Sequence, residues 1–472
     1  MGPTPVRVRF APAPTGFLHL GSARTALFNW LYARHVGGEF VVRIEDTDVE
    51  RTRPELIELI FDVLGWMGID WDGEPVFQSR RSEVHAEAVE RLLASGAAYR
   101  CDCTKEALDE RIAARAAAGG DKTPGYDGFC RDRGLGAEVA HAVRFRVPDE
   151  GETAWDDMIR GRITFEHRNL EDFVLRRTDG TPVFIVANAV DDADMGITHV
   201  IRGEDLINVT PKVLLARAAL GIEGVPTFAH MPLIVNEARK KLSKRRDDVS
   251  VGDYRDRGVL PEAMVNYLAL LGWGPPDGVE VRPIDEIISL FDVVDINPSP
   301  AMFDVRKLES INGDYLRAMP VTAFIEASRP FIEVAPWGDQ VDTESLAAIA
   351  PEIQTRVKVL SEVPDLVDFL YLDEPDIDDQ AWDKAIGSNE AAPGLLDAAI
   401  AAYEQAASWD SATLHQVTTE LADAAGLKLG KAQAPIRVAV TGRTVGPPLF
   451  ESLEVLGRDR TLSRLRAGRA RC

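Results

Sequence analysis

Apolar and polar residues alternate along Val6-Arg7-Val8-Arg9-Phe10, which predicts a short strand. From Ala23 to His35 the period lengthens, and Ala26, Leu27, Trp30, Leu31 and Ala33 share one helical face. Pro12, Pro14 and Gly16 lie between the two, ending the strand and predicting a tight loop. Phe40-Val41-Val42-Arg43-Ile44 predicts a second strand that ends at Glu45-Asp46-Thr47-Asp48. Pro54 to Gly68 predicts a helix with Ile57, Ile60, Phe61, Leu64 and Met67 as its apolar stripe, and Pro54 suits a first-turn position. Another helix is expected from Ser82 to Leu93. Between Tyr99 and about Asp179 the texture changes to a Cys-x-Cys pair, an Ala- and Arg-rich helix, Gly/Asp-rich loops and strands such as Ala142–Val147. That stretch reads as an insertion between two halves of one sheet. The sheet is expected to resume at Val183–Ala189 and Thr198–Ile201, and Met231–Val235 predicts a further buried strand. Beyond Pro320 helical spacing dominates (Leu346, Ile349, Ile353, Val357, Leu360), broken by Pro330, Pro351, Pro364 and Pro393. No alternating pattern appears between 320 and 430.

A chain of 472 residues can form two or more domains with large cores. Its 45% apolar and 27% charged content is ordinary for a globular protein. No run approaches the ~18 apolar residues that a membrane helix needs, so no membrane partner is expected. The N-terminus lacks a signal peptide's apolar region, and Gly2 without Ser or Thr at position 6 does not suggest myristoylation. Four cysteines do not suggest a disulfide framework, which makes a reducing cytoplasm the expected location. The net charge of −23 opposes nucleic-acid binding on the simplest rule, but distribution matters more than the sum. From Lys428 to Cys472 ten Lys/Arg face three Asp/Glu, whereas Asp373 to Asp383 is strongly acidic and reads as a solvated surface. An acidic protein with basic faces can bind one structured RNA.

Two stretches carry candidate chemistry. Pro14-Thr15-Gly16-Phe17-Leu18-His19-Leu20-Gly21-Ser22 joins the first strand to the first helix. The free N–H groups and dipole of such a helix start attract phosphate; His19 adds a donor there, and Gly21 lets a ligand approach the backbone. Far downstream, Arg239-Lys240-Lys241-Leu242-Ser243-Lys244-Arg245-Arg246 puts six cations in eight positions. A basic run alone reads as a solvated face or a nucleic-acid patch. Following a strand, it sits instead at the sheet edge where open α/β folds bind ligands.

HLGS early and KLSKR late resemble the HIGH and KMSKS signatures of class I aminoacyl-tRNA synthetases. PTGFLHLGSARTALFNW, VRIEDTD, GITHVIRGED, HMPLIVN, KLSKR and PIRVAVTGRT together resemble the bacterial glutamyl-tRNA synthetases, over residues 9 to 450. The resemblance implies an α/β fold: a class I Rossmann-like catalytic domain in two parts (1–85 and 181–220) with an inserted α+β acceptor-end-binding domain (86–180). It further implies a KLSKR-loop and stem-contact region (221–319) and an α-helical anticodon-binding region (320–472), rather than the β-barrels of glutaminyl enzymes. The implied enzyme is a monomer that activates L-glutamate with ATP and Mg²⁺ and charges tRNA(Glu). A small-molecule nucleotidyltransferase would have no use for the long helical tail, and a base-glutamylating paralogue would end near residue 300.

By this resemblance His19, Lys241 and Lys244 are catalytic, and His19, Gly21, Asp205, Leu242, Ser243 and Lys244 bind ATP. Glutamate recognition needs a cation for the side-chain carboxylate. Arg202 is the candidate, since a guanidinium fork bonds both oxygens, and Arg9 is the second. Glu45 fits the α-ammonium, and Ala11, Ala13, Phe184 and Asn188 line the same pocket. Two bland readings compete: VRIEDTD as a solvated acidic turn, and Arg202 as a surface ion pair with Glu204 or Asp205. Many relatives carry Ser at the place of Ala13 and Tyr at that of Phe184, so two hydroxyls are absent here and selectivity should rest more on Arg202 and Arg9.

Cys101, Cys103 and Cys130 could hold zinc with a fourth ligand, either Tyr126 or Asp132, the latter standing where some relatives have histidine. The alternative is three reduced cysteines without metal. Arg356 lies where the family has an arginine that helps reject glutamine anticodons, and Arg437 and Arg443 are further candidates for anticodon contact.

Overall fold

The computed structural model describes residues 5–47, 52–117, 125–242 and 250–472. They divide into two compact units: 1–254 with 264–304, and 255–263 with 305–472. The first opens with β1 (Arg7–Phe10), α1 (Leu20–Val36), β2 (Glu39–Ile44), α2 (Pro54–Trp66), β3 (Val76–Phe77) and α3 (Ser82–Ala94). Then follow β4 (Ala98–Cys101), α4 (Lys105–Ala117), β5 (Ala142–Phe145), β6 (Glu152–Asp157), β7 (Gly161–Glu166) and β8 (Val174–Arg176). α5 (Phe184–Asp194), β9 (His199–Gly203), α6 (Thr210–Ala219), β10 (Thr227–Met231), β11 (Ile234–Val235) and β12 (Ala301–Met302) complete the elements used below.

Seven strands form one sheet in the order β3-β2-β1-β9-β10-β6-β7, parallel throughout except for the β6–β7 hairpin. The chain winds outward from β1 to β3, then returns to the other side of β1 through β9. That reversal puts a crevice beyond the carboxyl ends of β1 and β9, where ligands of such sheets bind. α1 packs on β1, β2 and β9 and is buried without interruption from Ala26 to Ala33. Its sequence spacing shows only the sheet-facing stripe; a second helix, Ile284–Leu290, covers another side.

Three segments differ from the sequence expectation. Residues 184–194 form a helix, not a strand. The run Phe184-Ile185-Val186-Ala187 is apolar and partly β-branched, and so short a run does not distinguish a buried helix from a buried strand. The hairpin β6–β7, expected within the insertion, extends the main sheet through Phe228 opposite Asp157. The inserted segment's own sheet is β4-β5-β8, antiparallel. Met231–Val235 is two strands separated by Pro232, which has no N–H to give a ladder.

In the second unit every element from 305 to 472 is helical. Its core includes Ile349, Ile353, Leu396, Ala399, Leu414, Val440, Leu453 and Leu465. Pro364 and Pro393 stand in first turns, but Pro330 and Pro351 lie inside helices rather than ending them. Buried neighbours such as Ile332 and Ile353 hold those turns despite the lost N–H. No described helix is long and apolar enough to cross a membrane.

Candidate active site

The loop after β1 turns into α1 at His19, whose extended backbone (φ −91°, ψ 159°) and side chain cap the helix. His19 Nδ1 accepts from Ser22 N–H at 3.2 Å, and Nε2 lies 3.1 Å from Ser22 Oγ. A Cβ on Gly21 would come within 3.2 Å of the imidazole, so glycine at this position lets the ring lie against the backbone. The basic segment begins on the same side. Asn236 and Lys240 close a tight turn in which Arg239 takes a left-handed φ of 56°, and Lys241 bridges back to Val235. Lys241 Nζ donates to Asp205 Oδ2 at 3.0 Å, and Leu242 N–H reaches Ile234 O at 3.3 Å. Ser250 pairs with His19. Ser243 and Lys244, with Arg245 and Arg246, lie outside the described residues.

One cavity of about 370 Å³ contains most of the predicted residues: Arg9, Ala11, Ala13, His19, Gly21, Glu45, Phe184, Asn188, Arg202, Asp205, Lys241 and Leu242 all line it. Arg24 lines it as well and was not foreseen. Its guanidinium donates to Leu271 O at 2.8 Å and to Pro232 O, and burial pushes its pKa down to about 10.

Away from the helix cap the cavity wall is a buried charge network. Asp192, on the last turn of α5, takes Arg9 Nε at 3.2 Å and Arg43 Nη1 at 2.6 Å. Arg43 Nη2 donates to Asn188 Oδ1 at 2.7 Å, and Asn188 Nδ2 donates to Glu45 Oε1 at 3.0 Å. Glu45 N–H bonds Pro12 O at 2.9 Å, which ties the end of β2 to the loop after β1. Asp46 is also paired, accepting from Ser79 N–H and Oγ at 2.7 and 2.6 Å. Val42 to Thr47 is therefore not a solvated turn, and Asp48 lies outside the described residues. Nor is Arg202 a surface ion pair: Glu204 pairs with Arg160, Asp205 with Lys241, and Arg202 is only 5% exposed. Its Nη2 donates to Thr210 Oγ1 at 2.7 Å and its Nε to His230 Nε2 at 3.3 Å. Nη1 has no partner among the described residues.

Three guanidiniums (Arg9, Arg43, Arg202) and two carboxylates (Glu45, Asp192) leave this end with a formal surplus of one positive charge. Burial pushes Arg202 down to about 10, with Arg9 adding to the effect. Burial would raise Asp192, but Arg9 and Arg43 outweigh it and hold the carboxyl at about 2. Glu45 goes the other way: burial raises it more than Arg43, Arg9 and Asn188 lower it. A ligand ammonium beside Glu45 would favour its charged form. Asp192 and Thr210 lie outside the motifs, and Arg43 and His230 lie within VRIEDTD and HMPLIVN without being singled out by them. The one available signal was the pair Asp191-Asp192 following the mostly apolar run Phe184–Val190, a costly arrangement unless cations meet it.

In the inserted sheet's neighbourhood, the sulfurs of Cys101, Cys103 and Cys130 lie within 4.8 Å of one another. Each accepts from a guanidinium: Cys101 from Arg144 at 3.4 Å, Cys103 from Arg111 at 3.1 Å and Cys130 from Arg133 at 3.3 Å. Tyr126 Oη is 3.6 Å from Cys101 Sγ and accepts from Cys130 N–H at 2.7 Å. Asp132 is turned to solvent, pairing with Arg146 at 3.0 Å, while Asp102 Oδ1 lies 3.2 Å from Cys130 Sγ. Burial pushes the Cys103 thiol up to about 12. Cys101 is lowered, because the Cys103 N–H and Arg144 overcome its burial. In the helical unit, burial and then the charge of Arg356 depress Arg437, whose Nη1 donates to Pro447 O at 2.7 Å. Arg443 forks onto Asp368 at 3.1 and 2.5 Å.

Comparison with known proteins matches residues 5–310 to the class I tRNA synthetase (E and Q) catalytic domain and residues 323–469 to an anticodon-binding domain. A glutamate–tRNA ligase of Frankia casuarinae is 54% identical over 476 residues, covering 100% of this chain and 99% of that one. That of Thermobifida fusca is 51% identical, covering 98% of this chain and 97% of its own. Among solved structures, a glutamate tRNA ligase of Elizabethkingia meningosepticum in complex with its amino acid superimposes with a TM-score of 0.85 at 31% identity, covering 99% of each chain.

Proposed function

This chain belongs to the glutamate–tRNA ligase family of class I tRNA synthetases, and from that membership we propose which of its side chains carry the reaction. The reaction joins the α-carboxylate of L-glutamate to the α-phosphate of ATP, expels pyrophosphate, and passes the glutamyl group to the 3′-terminal adenosine of tRNA(Glu). The supporting observation is the single cavity, with an anion-seeking pocket at one end and a capped helix start beside lysine at the other.

Glutamate carries one net negative charge, which the surplus of one positive charge at the pocket matches. Arg202 takes the side-chain carboxylate through Nη1, which has no partner among the described residues, with Arg9 as second donor. Glu45, oriented by Asn188, takes the α-ammonium, and Ala11, Ala13 and Phe184 shape the wall. Adenylate formation is in-line displacement at phosphorus, so the protein's work is positioning and charge stabilisation. His19 and Gly21 serve one side of the phosphates. Lys241, Leu242, Ser243 and Lys244 would serve the other, with Lys241 exchanging Asp205 for phosphate when ATP and its Mg²⁺ bind.

Beyond the cleft, residues 86–180 would hold the acceptor end, 221–319 the stem and 320–472 the anticodon. Arg356 and Arg437 would face its bases, and Arg443 would act as a brace through Asp368. The three sulfurs with Tyr126 Oη make a four-donor set that zinc could take; Asp132 is not part of it. Zinc there would staple the knob. One equivalent in the purified protein, lost in Cys130→Ser, is the expected result of metal analysis.

The assay for the catalytic assignment is charging of tRNA(Glu) with glutamate and ATP. Arg202→Gln should weaken glutamate far more than glutamine; equal losses would remove Arg202 from the role.

A further inference from the structure

Behind Arg202 lies a buried pair that the reaction itself does not call on. Asp157 ends β6, and His230 sits on β10 opposite Arg202 of β9. Neither Asp157 nor His230 has an exposed side-chain surface. Asp157 uses its two oxygens differently. Oδ1 accepts three backbone N–H groups, from Ile159, Arg160 and His230, each at 3.1 Å. Oδ2 faces His230 Nδ1 at 2.6 Å. On the far side of the ring, Nε2 lies 3.3 Å from Arg202 Nε and 3.0 Å from Thr210 Oγ1. An arginine Nε can only donate, so Nε2 must accept and the ring's single proton must sit on Nδ1, facing the carboxylate.

We propose that Asp157 and His230 are positioning residues for glutamate: the carboxylate fixes the Nδ1–H tautomer, and the acceptor this leaves at Nε2 aims the Arg202 fork into the pocket. The proposal rests on the assignment of Arg202 to the substrate carboxylate. Nε is held by His230 and Nη2 by Thr210, so the guanidinium cannot rotate, and its remaining N–H groups keep one direction. The charged groups around the ring agree with a neutral imidazole. Burial, Arg202 and Arg160 lower His230 more than Asp157 raises it. The His230 hydrogen bond, against burial, keeps Asp157 ionised.

Asp157→Asn tests the tautomer itself. The three backbone N–H groups keep the amide oxygen at the Oδ1 place, so the amide N–H₂ faces Nδ1. The ring proton must then move to Nε2, where it opposes Arg202 Nε–H. ¹⁵N NMR of the histidine ring should show the proton on Nδ1 in the parent and on Nε2 in the variant. In charging of tRNA(Glu), the KM for glutamate should rise by about tenfold or more, as expected for a lost hydrogen bond to a charged group, while the KM for ATP stays within about twofold. His230→Gln, which can offer an oxygen near the Nε2 place, should keep the glutamate KM close to the parent's; His230→Leu should not. A reversed ring proton with unchanged glutamate KM would overturn the proposal. So would equal behaviour of His230→Gln and His230→Leu, or parallel rises in all substrate KM values. Arg202→Gln separates the levels. If it leaves the glutamate KM unchanged, the carboxylate assignment fails and takes the proposal with it; if it raises that KM while Asp157→Asn does not, only the proposal fails.

Discussion

At the end of the cleft proposed for glutamate, Arg9, Arg43, Asn188, Asp192 and Arg202 are all at most 5% exposed, and Arg9, Arg43, Asn188 and Asp192 bond one another. At the phosphate end, Lys241 and Asp205 meet with 59% and 52% of their side chains exposed. Charges taken out of water must be matched in the fold, and they then stay where folding puts them. An exposed pair contributes under about 1 kcal/mol and can give up its partner at little cost. On the proposed assignment, recognition of the amino acid would thus be built in before the substrate arrives, whereas Lys241 would be poised to change partners.

That contrast breaks first where the buried network is cut. Asp192→Asn removes the charge between Arg9 and Arg43 and should destabilise the first unit by about 3–5 kcal/mol, read in a denaturant titration. A loss below 1 kcal/mol would mean that water reaches the network. Arg202→Gln should lower kcat/KM for glutamate by about thirtyfold or more, from the 2–5 kcal/mol typical of a truncated buried charge contact. Its melting temperature should change far less than that of Asp192→Asn, since Arg202 keeps only neutral partners.

In the basic segment, Lys244→Ala should slow adenylate formation by about a hundredfold, the effect of one donor aimed at transition-state charge, with stability unchanged. Acid sharpens the contrast further. Asp192 titrates at about 2 in the fold against 3.8 ordinarily. Its stabilising contribution is therefore complete above pH about 4 and disappears as pH falls through 2, amounting to about 2 kcal/mol by linkage. Asp192→Asn should lack that acid-dependent part. Smallest of all, Asp205→Ala should leave thermal stability unchanged within about 1 kcal/mol, because its lysine partner is already solvated.

Legibility in the sequence followed the same division. β1, β2, α1, α2 and α3 could be read because their apolar spacing is local, and His19, Gly21, Arg9 and Glu45 stand where those elements end. Lys241 and Arg202 came from motifs, and both line the cavity. Arg43 and Asp192 did not show themselves, since 149 residues separate them and their role exists only in the pairing. The same holds for Asp157 and His230, 73 apart. α5 was taken for a strand because its apolar start is short, and Asn188 and Asp192 turn to Glu45, Arg9 and Arg43 rather than marking a helical stripe.

The most direct test of the whole account is a crystal structure with a non-hydrolysable glutamyl-adenylate analogue. The account predicts the side-chain carboxylate about 3 Å from the Arg202 guanidinium, the α-ammonium at Glu45 and the phosphate beside His19 and the lysines of the basic segment. A carboxylate turned away from Arg202, or an analogue bound outside the cavity between the ends of β1 and β9, would contradict it.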